Sequence, residues 1–234
     1  MNEHIAKQFD ADLENIRSRV LQMGGLVEQQ IVRAFEALEN GDLLLAEQVV
    51  ETDHDVNRHE VELDEACAHL IARRQPAASD LRMIMAVIKT ITDLERVGDE
   101  AKKVAKRARS LHSGDSPFVP RVELRHVATV AVAMLRKALD AFARTDLTAA
   151  AQVVRQDKEV DAEFKSIMRQ LITFMMEDPR MISSSLEVLF IAKAVERIGD
   201  HAKNISEYVV YMVKGRDVRH IGLEGIEREV ASGD

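Results

Sequence analysis

The residues best placed to do chemistry in this chain are carboxylates that interrupt apolar stripes. Glu95-Arg96-Val97-Gly98-Asp99 and Glu196-Arg197-Ile198-Gly199-Asp200 each set a Glu and an Asp four positions apart, one turn apart on one helix face. A second pair with the same spacing precedes each: Asp53 and Asn57 before the first, Asp157 and Asp161 before the second. In the run Ala46, Val49, Val50, Asp53, Asn57, Glu60, Asp64, Cys67, Leu70, Ile71, polar groups fall where leucines would continue a buried face. Leu81, Ile84, Met85, Ile88 and Ile91 lead into Glu95 and Asp99 in the same way, as do Ile182, Leu189 and Ala192 into Glu196 and Asp200. Ionised carboxylates facing an interior are costly without a counter-charge, so the pattern predicts a bound cation. Oxygen-only donors favour Mg, Mn, Ca or iron over zinc. The neutral amide of Asn57, where the other half has Asp161, predicts a weaker hold in the first site.

The competing reading places these acids on a solvated edge, in salt bridges with Arg96, Arg197, Lys102, Lys103 and Lys203. A single Glu-x-x-x-Asp would be read that way; two, in phase with the apolar stripe, favour the cation. Gly98 and Gly199 each precede an acid inside a predicted helix, where glycine costs ~1 kcal/mol relative to alanine, and are read as points of close packing. Arg96 and Arg197 are expected to pair with neighbouring carboxylates rather than hold an anion. Glu51-Thr52-Asp53-His54 and Glu123-Leu124-Arg125-His126 fit the Glu-x-x-His string of di-iron bundles. Neither is repeated: Arg155 and Lys158 replace the first, Arg19 and Gln22 the second. His201 beside Asp200 is expected to be exposed, with an extra ligand to the site or a supporting contact to it as the alternatives. No nucleophile and base can be paired, and no catalytic residue is assigned.

The elements that must position these groups are helices. Phe9, Leu13, Ile16, Val20, Met23, Val27, Ile31, Ala34 and Leu38 recur at steps of three and four, the mark of a long amphipathic helix. Gly41-Asp42 ends it, with Asp42 an N-cap for a second helix toward Arg74 and Ser79 or Asp80 a cap for a third to about Leu111. The second half repeats the first. Asp42, Val49, Val50, Asp53 and Val56 match Asp146, Val153, Val154, Asp157 and Val160, each 104 positions later, and the Glu-Arg-[Val/Ile]-Gly-Asp segments lie 101 apart. The change of offset falls across the loops containing Pro76 and Pro179, and Gly114 to Pro120 marks a linker. The expectation is all-α: six long helices in two tandem, pseudo-repeated three-helix bundles over residues 1–113 and 121–215, with a frayed tail over 216–234.

Composition agrees and narrows function. Ten Gly, four Pro and 4% aromatics among 46% apolar residues leave little for strands and turns. A formal charge of −8 argues against nucleic acid, and no phosphate loop of the GxxxxGK type is present. Neither a secretory leader nor an ~18-residue apolar span is found, so a soluble, cytoplasmic protein is expected. The lone cysteine, Cys67, is read as a buried structural thiol.

Taken together, Arg74-Gln75-Pro76, Asp80-Leu81-Arg82, Asp93-Leu94-Glu95-Arg96-Val97-Gly98-Asp99 and the run from Ala192 to Ile205 resemble the PhoU family of phosphate-transport regulators over nearly the whole chain. The resemblance implies two three-helix bundles, a cytoplasmic protein that commonly dimerises, and metal held at Asp53, Asn57, Glu95 and Asp99 and at Asp157, Asp161, Glu196 and Asp200. It also implies partners: the ATPase subunit of the phosphate-specific ABC transporter and a sensor histidine kinase. Membrane contact is then made only through them. The implied action is negative regulation, restraining the phosphate-starvation response when phosphate is plentiful. The lack of a catalytic pair points to an adaptor rather than an enzyme. A metal-dependent phosphate-ester hydrolase and a metal-storage bundle are the alternatives.

Overall fold

The computed structural model describes residues 2–113 and 119–231, with the side chains of residues 2–8 excepted. The helices are α1 (Asn2–Asn40), α2 (Leu43–Arg74), α3 (Ala78–Ser113), α4 (Leu124–Arg144), α5 (Leu147–Glu177), α6 (Ile182–Lys214) and α7 (Gly222–Ala231), with one 3₁₀ turn at Pro179–Met181. No strand occurs among the described residues. Most of the proposed linker, Gly114 to Phe118, lies outside them.

Helices α1, α2 and α3 pack on one another as one bundle, and α4, α5 and α6 as a second. The stripe read on α1 is its buried face, with Val20, Met23, Val27 and Ala34 fully enclosed. Asp42 caps α2 by accepting from the Leu45 amide at 2.9 Å, and Asp146 caps α5 from Ala149 at 3.0 Å, so the repeat extends to its turns. Helix α3 starts at Ala78, before the proposed caps. Ser79 and Asp80 lie in its first turn, where Asp80 suits the helix dipole.

The two bundles are not separate beads: α3 packs along α6 and α1 meets α4, giving one continuous apolar core. The α3–α6 contact is antiparallel. Lys89 lies over the rings of Tyr208 and Tyr211, Asp93 meets His201, Glu100 meets Arg197, and Arg107 meets both Glu187 and the Phe190 ring. In the repeat, Lys89 corresponds to Phe190 and Arg107 to Tyr208. The cation–π contacts Lys89–Tyr208 and Arg107–Phe190 are therefore one contact made twice with cation and ring exchanged. Pairs so arranged define a pseudo-twofold relation between the bundles, centred along α3 and α6 at Gly98 and Gly199.

Three expectations need correction. Asp64 is exposed, because the buried seam of α2 runs Val49, Asp53, Val56, Leu63, Cys67, Leu70 and leaves Asp64 one position beyond it. Leu81 and Met85, expected to be interior, are each 39% exposed. Nor does the tail simply fray. Leu223, Ile226 and Val230 give α7 an apolar face, Ile226 is buried, and Glu227 pairs with Arg155 of α5.

Candidate metal centres and the cleft between them

In each bundle the buried acid comes from the middle helix. Asp53 of α2 is 1% exposed and Asp157 of α5 is 5% exposed. Gly98 and Gly199 lie directly against them. A methyl group at Gly98 would stand 3.1 Å from Gln30 Oε1 and 3.7 Å from Asp53 Oδ1; at Gly199 it would stand 3.4 Å from Val160 and 3.8 Å from Asp157 Oδ1. Close packing is thus the role of both glycines, and it is tighter in the first bundle.

The nearest counter-charges are lysines. Lys102 Nζ donates to Asp53 Oδ2 at 2.6 Å and Lys203 Nζ to Asp157 Oδ2 at 2.8 Å, a contact conserved through the internal repeat. The remaining acids gather around these pairs. Burial holds the Glu95 carboxyl above its ordinary range, reinforced by Asp99, Glu60 and Asp53. Asp200 is pushed up to about 6 by burial and then by Glu196, Asp157 and Asp161. The structure therefore brings each proposed set of acids within one another's field. Glu196 leans on Lys193 of its own helix at 2.6 Å. Asn57 is half-buried with its Oδ1 enclosed and unpartnered, and so is Gln30 Oε1, while Gln30 Nε2 reaches Asp53 at 3.4 Å. Among the described residues no three His, Cys, Asp or Glu side chains are drawn close enough to ligate one ion, so a cation must displace or supplement Lys102 and Lys203. In donor chemistry the sets fit a hard cation: mutually repelling carboxylates in both halves, with two unsatisfied amide oxygens in the first.

Sequence reasoning missed two participants. Gln30 occupies the position of the apolar Met134, and Glu207 lies one turn beyond Lys203 where the first half has Lys106; Glu60, read on the α2 stripe, is half-buried. The signal for Gln30 was a polar side chain between Val27 and Ile31 on a buried stripe. Glu207 is 5% exposed, and burial pushes its carboxyl up to about 7 against the pull of Lys203. A folded-state carboxyl above its ordinary value binds more protons than the unfolded chain, so stability falls as pH rises from about 4.5 to 7 and levels off above. We expect Glu207→Gln to stabilise the protein by on the order of 2–3 kcal/mol at pH 8 and little at pH 4.5, read as melting temperature against pH. An equal shift at both pH values would contradict it.

Between the bundles α3 and α6 line a cleft of ≈ 520 Å³ that includes residues of both acidic motifs, Asp99 and Asp200 among them. Arg197 pairs across it with Glu100 at 3.1 Å, and Lys103 reaches the same carboxylate at 2.8 Å. Arg96 has no ion-pair partner among the described residues, against expectation. His201 is not exposed: its Nδ1 contacts Asp93 at 2.6 Å, and Asn204 donates to the same carboxylate at 3.2 Å. The Glu and His of the two Glu-x-x-His strings, Glu51 with His54 and Glu123 with His126, are exposed, as their lack of repetition implied. Cys67 is fully buried and burial pushes its thiol up to about 11, consistent with an unreactive role. No helix of the described residues is long and apolar enough to cross a membrane.

The PhoU domain pattern matches the chain twice, over residues 20–108 and 124–209, which are the stretches that carry the two acid sets. A Pseudomonas aeruginosa protein named phosphate-specific transport system accessory protein PhoU homolog is 51% identical over 231 residues, covering 98% of this chain and 95% of that protein. The crystal structure of PhoU from Pseudomonas aeruginosa superposes with a TM-score of 0.84 at 51% identity, covering 89% of this chain and 100% of that one. The phosphate transport system regulatory protein PhoU from Streptococcus pneumoniae superposes at 0.83 with 28% identity, covering 90% of this chain and 99% of that one. With the acid-bearing repeat matched in both halves, this chain belongs to the PhoU family.

Proposed function

We propose that this protein is a negative regulator of phosphate uptake and of the phosphate-starvation response, working as a metal-binding adaptor between the ATPase subunit of a phosphate-specific ABC transporter and a sensor histidine kinase. The observation that carries this is the near-complete coverage at 51% identity by a protein named for the phosphate-specific transport system, with the acidic repeat kept in both halves. Relatives are named as accessory and regulatory proteins, which supports an adaptor over a catalyst. Asp53, Asn57, Glu95 and Asp99, and Asp157, Asp161, Glu196 and Asp200, would hold Mg, Mn, Fe or Ca. The ion would supply positive charge where carboxylates crowd. The cytoplasmic face of the transporter is the proposed place of action, and a homodimer the proposed assembly.

The test is genetic. Deleting the gene should leave phosphate-starvation genes expressed in phosphate-rich medium, read with a transcriptional reporter. Full repression in the deletion strain would overturn the regulatory assignment.

A further inference from the structure

The pseudo-twofold relation allows each contact between α3 and α6 to be compared with its twin, and one twin is broken. Glu100 of α3 pairs with Arg197 of α6. The equivalent positions are His201 on α6 and Arg96 on α3, and both line the same cleft. With histidine in place of glutamate, Arg96 loses the carboxylate that its counterpart keeps. His201 turns its Nδ1 to the buried Asp93 instead. Of the cations lining the cleft, Lys203 is committed to Asp157 and both Lys103 and Arg197 to Glu100, so Arg96 is the one without an ion-pair partner among the described residues, with His201 and Asn204 as further polar groups.

Three carboxylates share the cleft: Asp99, Glu100 and Asp200. Glu100 is engaged by Arg197 and Lys103 together, and Asp99 faces Lys102 at 3.8 Å. Glu60 and Glu95 influence Arg96 through space, yet neither forms an ion pair with it among the described residues. The place opposite Arg96 is therefore left without the carboxylate that Glu100 sets opposite Arg197, in a cleft between the two bundles, and such interfaces are among the preferred places for ligand sites.

We propose that this cleft is a receptor site for a small tetrahedral oxyanion. Arg96 is its principal anchor, because a guanidinium presents paired N–H donors that match two oxygens of such an anion. Lys103 and Arg197, which share the single Glu100 carboxylate, leave an excess of positive charge on the far side of the cleft. The proposal does not depend on the cation reading, since the missing carboxylate follows from the Glu100/His201 difference alone.

The test uses the full chain, stripped of metal by chelation, titrated with inorganic phosphate in low-salt buffer by calorimetry, with circular dichroism confirming that each variant is folded. One equivalent should bind. Arg96→Gln should weaken binding at least tenfold. His201→Glu should weaken it similarly by restoring the missing internal carboxylate, and Glu100→His should open the twin position and raise the stoichiometry to two. Absence of phosphate binding by the wild-type chain, or a folded Arg96→Gln variant that binds unchanged, would overturn the proposal.

Discussion

Lys102→Met should destabilise the metal-free protein by about 3–5 kcal/mol, because it removes one member of a buried ion pair and leaves the other charged. Asp53 is 1% exposed, and Lys102 Nζ at 2.6 Å is its only cationic partner within ion-pair distance among the described residues. Gln30 offers it only a long contact at 3.4 Å. Lys203→Met should act in the same direction with a smaller effect, since Lys203 is 34% exposed against 24% for Lys102 and water can reach that end of the pair. Removing both charges together, as in Lys102→Met with Asp53→Asn, should recover most of the loss, because no ionised group then remains uncompensated. Denaturant unfolding after chelation measures all three. If the single substitution costs under ~1 kcal/mol, the pair is behaving as a surface salt bridge and Asp53 is better solvated than its burial indicates.

The same variant connects stability to the proposed cation. With Lys102 gone, a hard divalent ion becomes the remaining source of positive charge for Asp53. Saturating Mn²⁺ should therefore raise the melting temperature of Lys102→Met more than that of the wild type.

Much of this architecture was legible before any coordinates. The α1 stripe from Leu13 to Ala34 is buried as read, since a three-and-four spacing of apolar residues admits one helical face. Asp42 and Asp146 cap as expected because their side chains satisfy local amide donors, a property of the turn alone. Contacts set by tertiary packing were not legible. Asp64 sits on the correct period and still faces water, because the seam alternates steps of three and four and passes it by. Arg197 was expected to pair and does, but across the bundles, which no spacing along one helix reveals. The antiparallel meeting of α3 and α6 decides that contact, and equally the fate of Arg96 and His201. Glu207 escaped notice because its partner in the repeat is a lysine, so comparing the two halves concealed it.

The second large effect concerns the cation itself. In the second half, burial first and then the neighbouring Glu196, Asp157 and Asp161 push Asp200 up to about 6, and Glu207 adds a fifth carboxyl nearby. In the first half, Asn57 and Gln30 contribute neutral oxygens in place of charge. The second site should accordingly hold a divalent ion more tightly than the first. Glu196→Ala with Asp200→Ala should abolish binding there, while Glu95→Ala with Asp99→Ala should remove the weaker equivalent. Both double variants should remain helical, because each relieves like-charge repulsion and leaves the Lys102–Asp53 and Lys203–Asp157 pairs in place.

The most direct measurement is therefore the metal-to-protein ratio by elemental mass spectrometry, after exposure to Mn²⁺, Mg²⁺, Ca²⁺ or iron and gel filtration, for the wild type and both double variants. The expected result is a metal-bearing wild type, a large loss in Glu196→Ala with Asp200→Ala, and a smaller loss in Glu95→Ala with Asp99→Ala. A wild type that emerges free of every metal, or a folded Glu196→Ala with Asp200→Ala variant carrying as much metal as the wild type, would contradict the account and leave Lys102 and Lys203 as the only counter-charges these acids have.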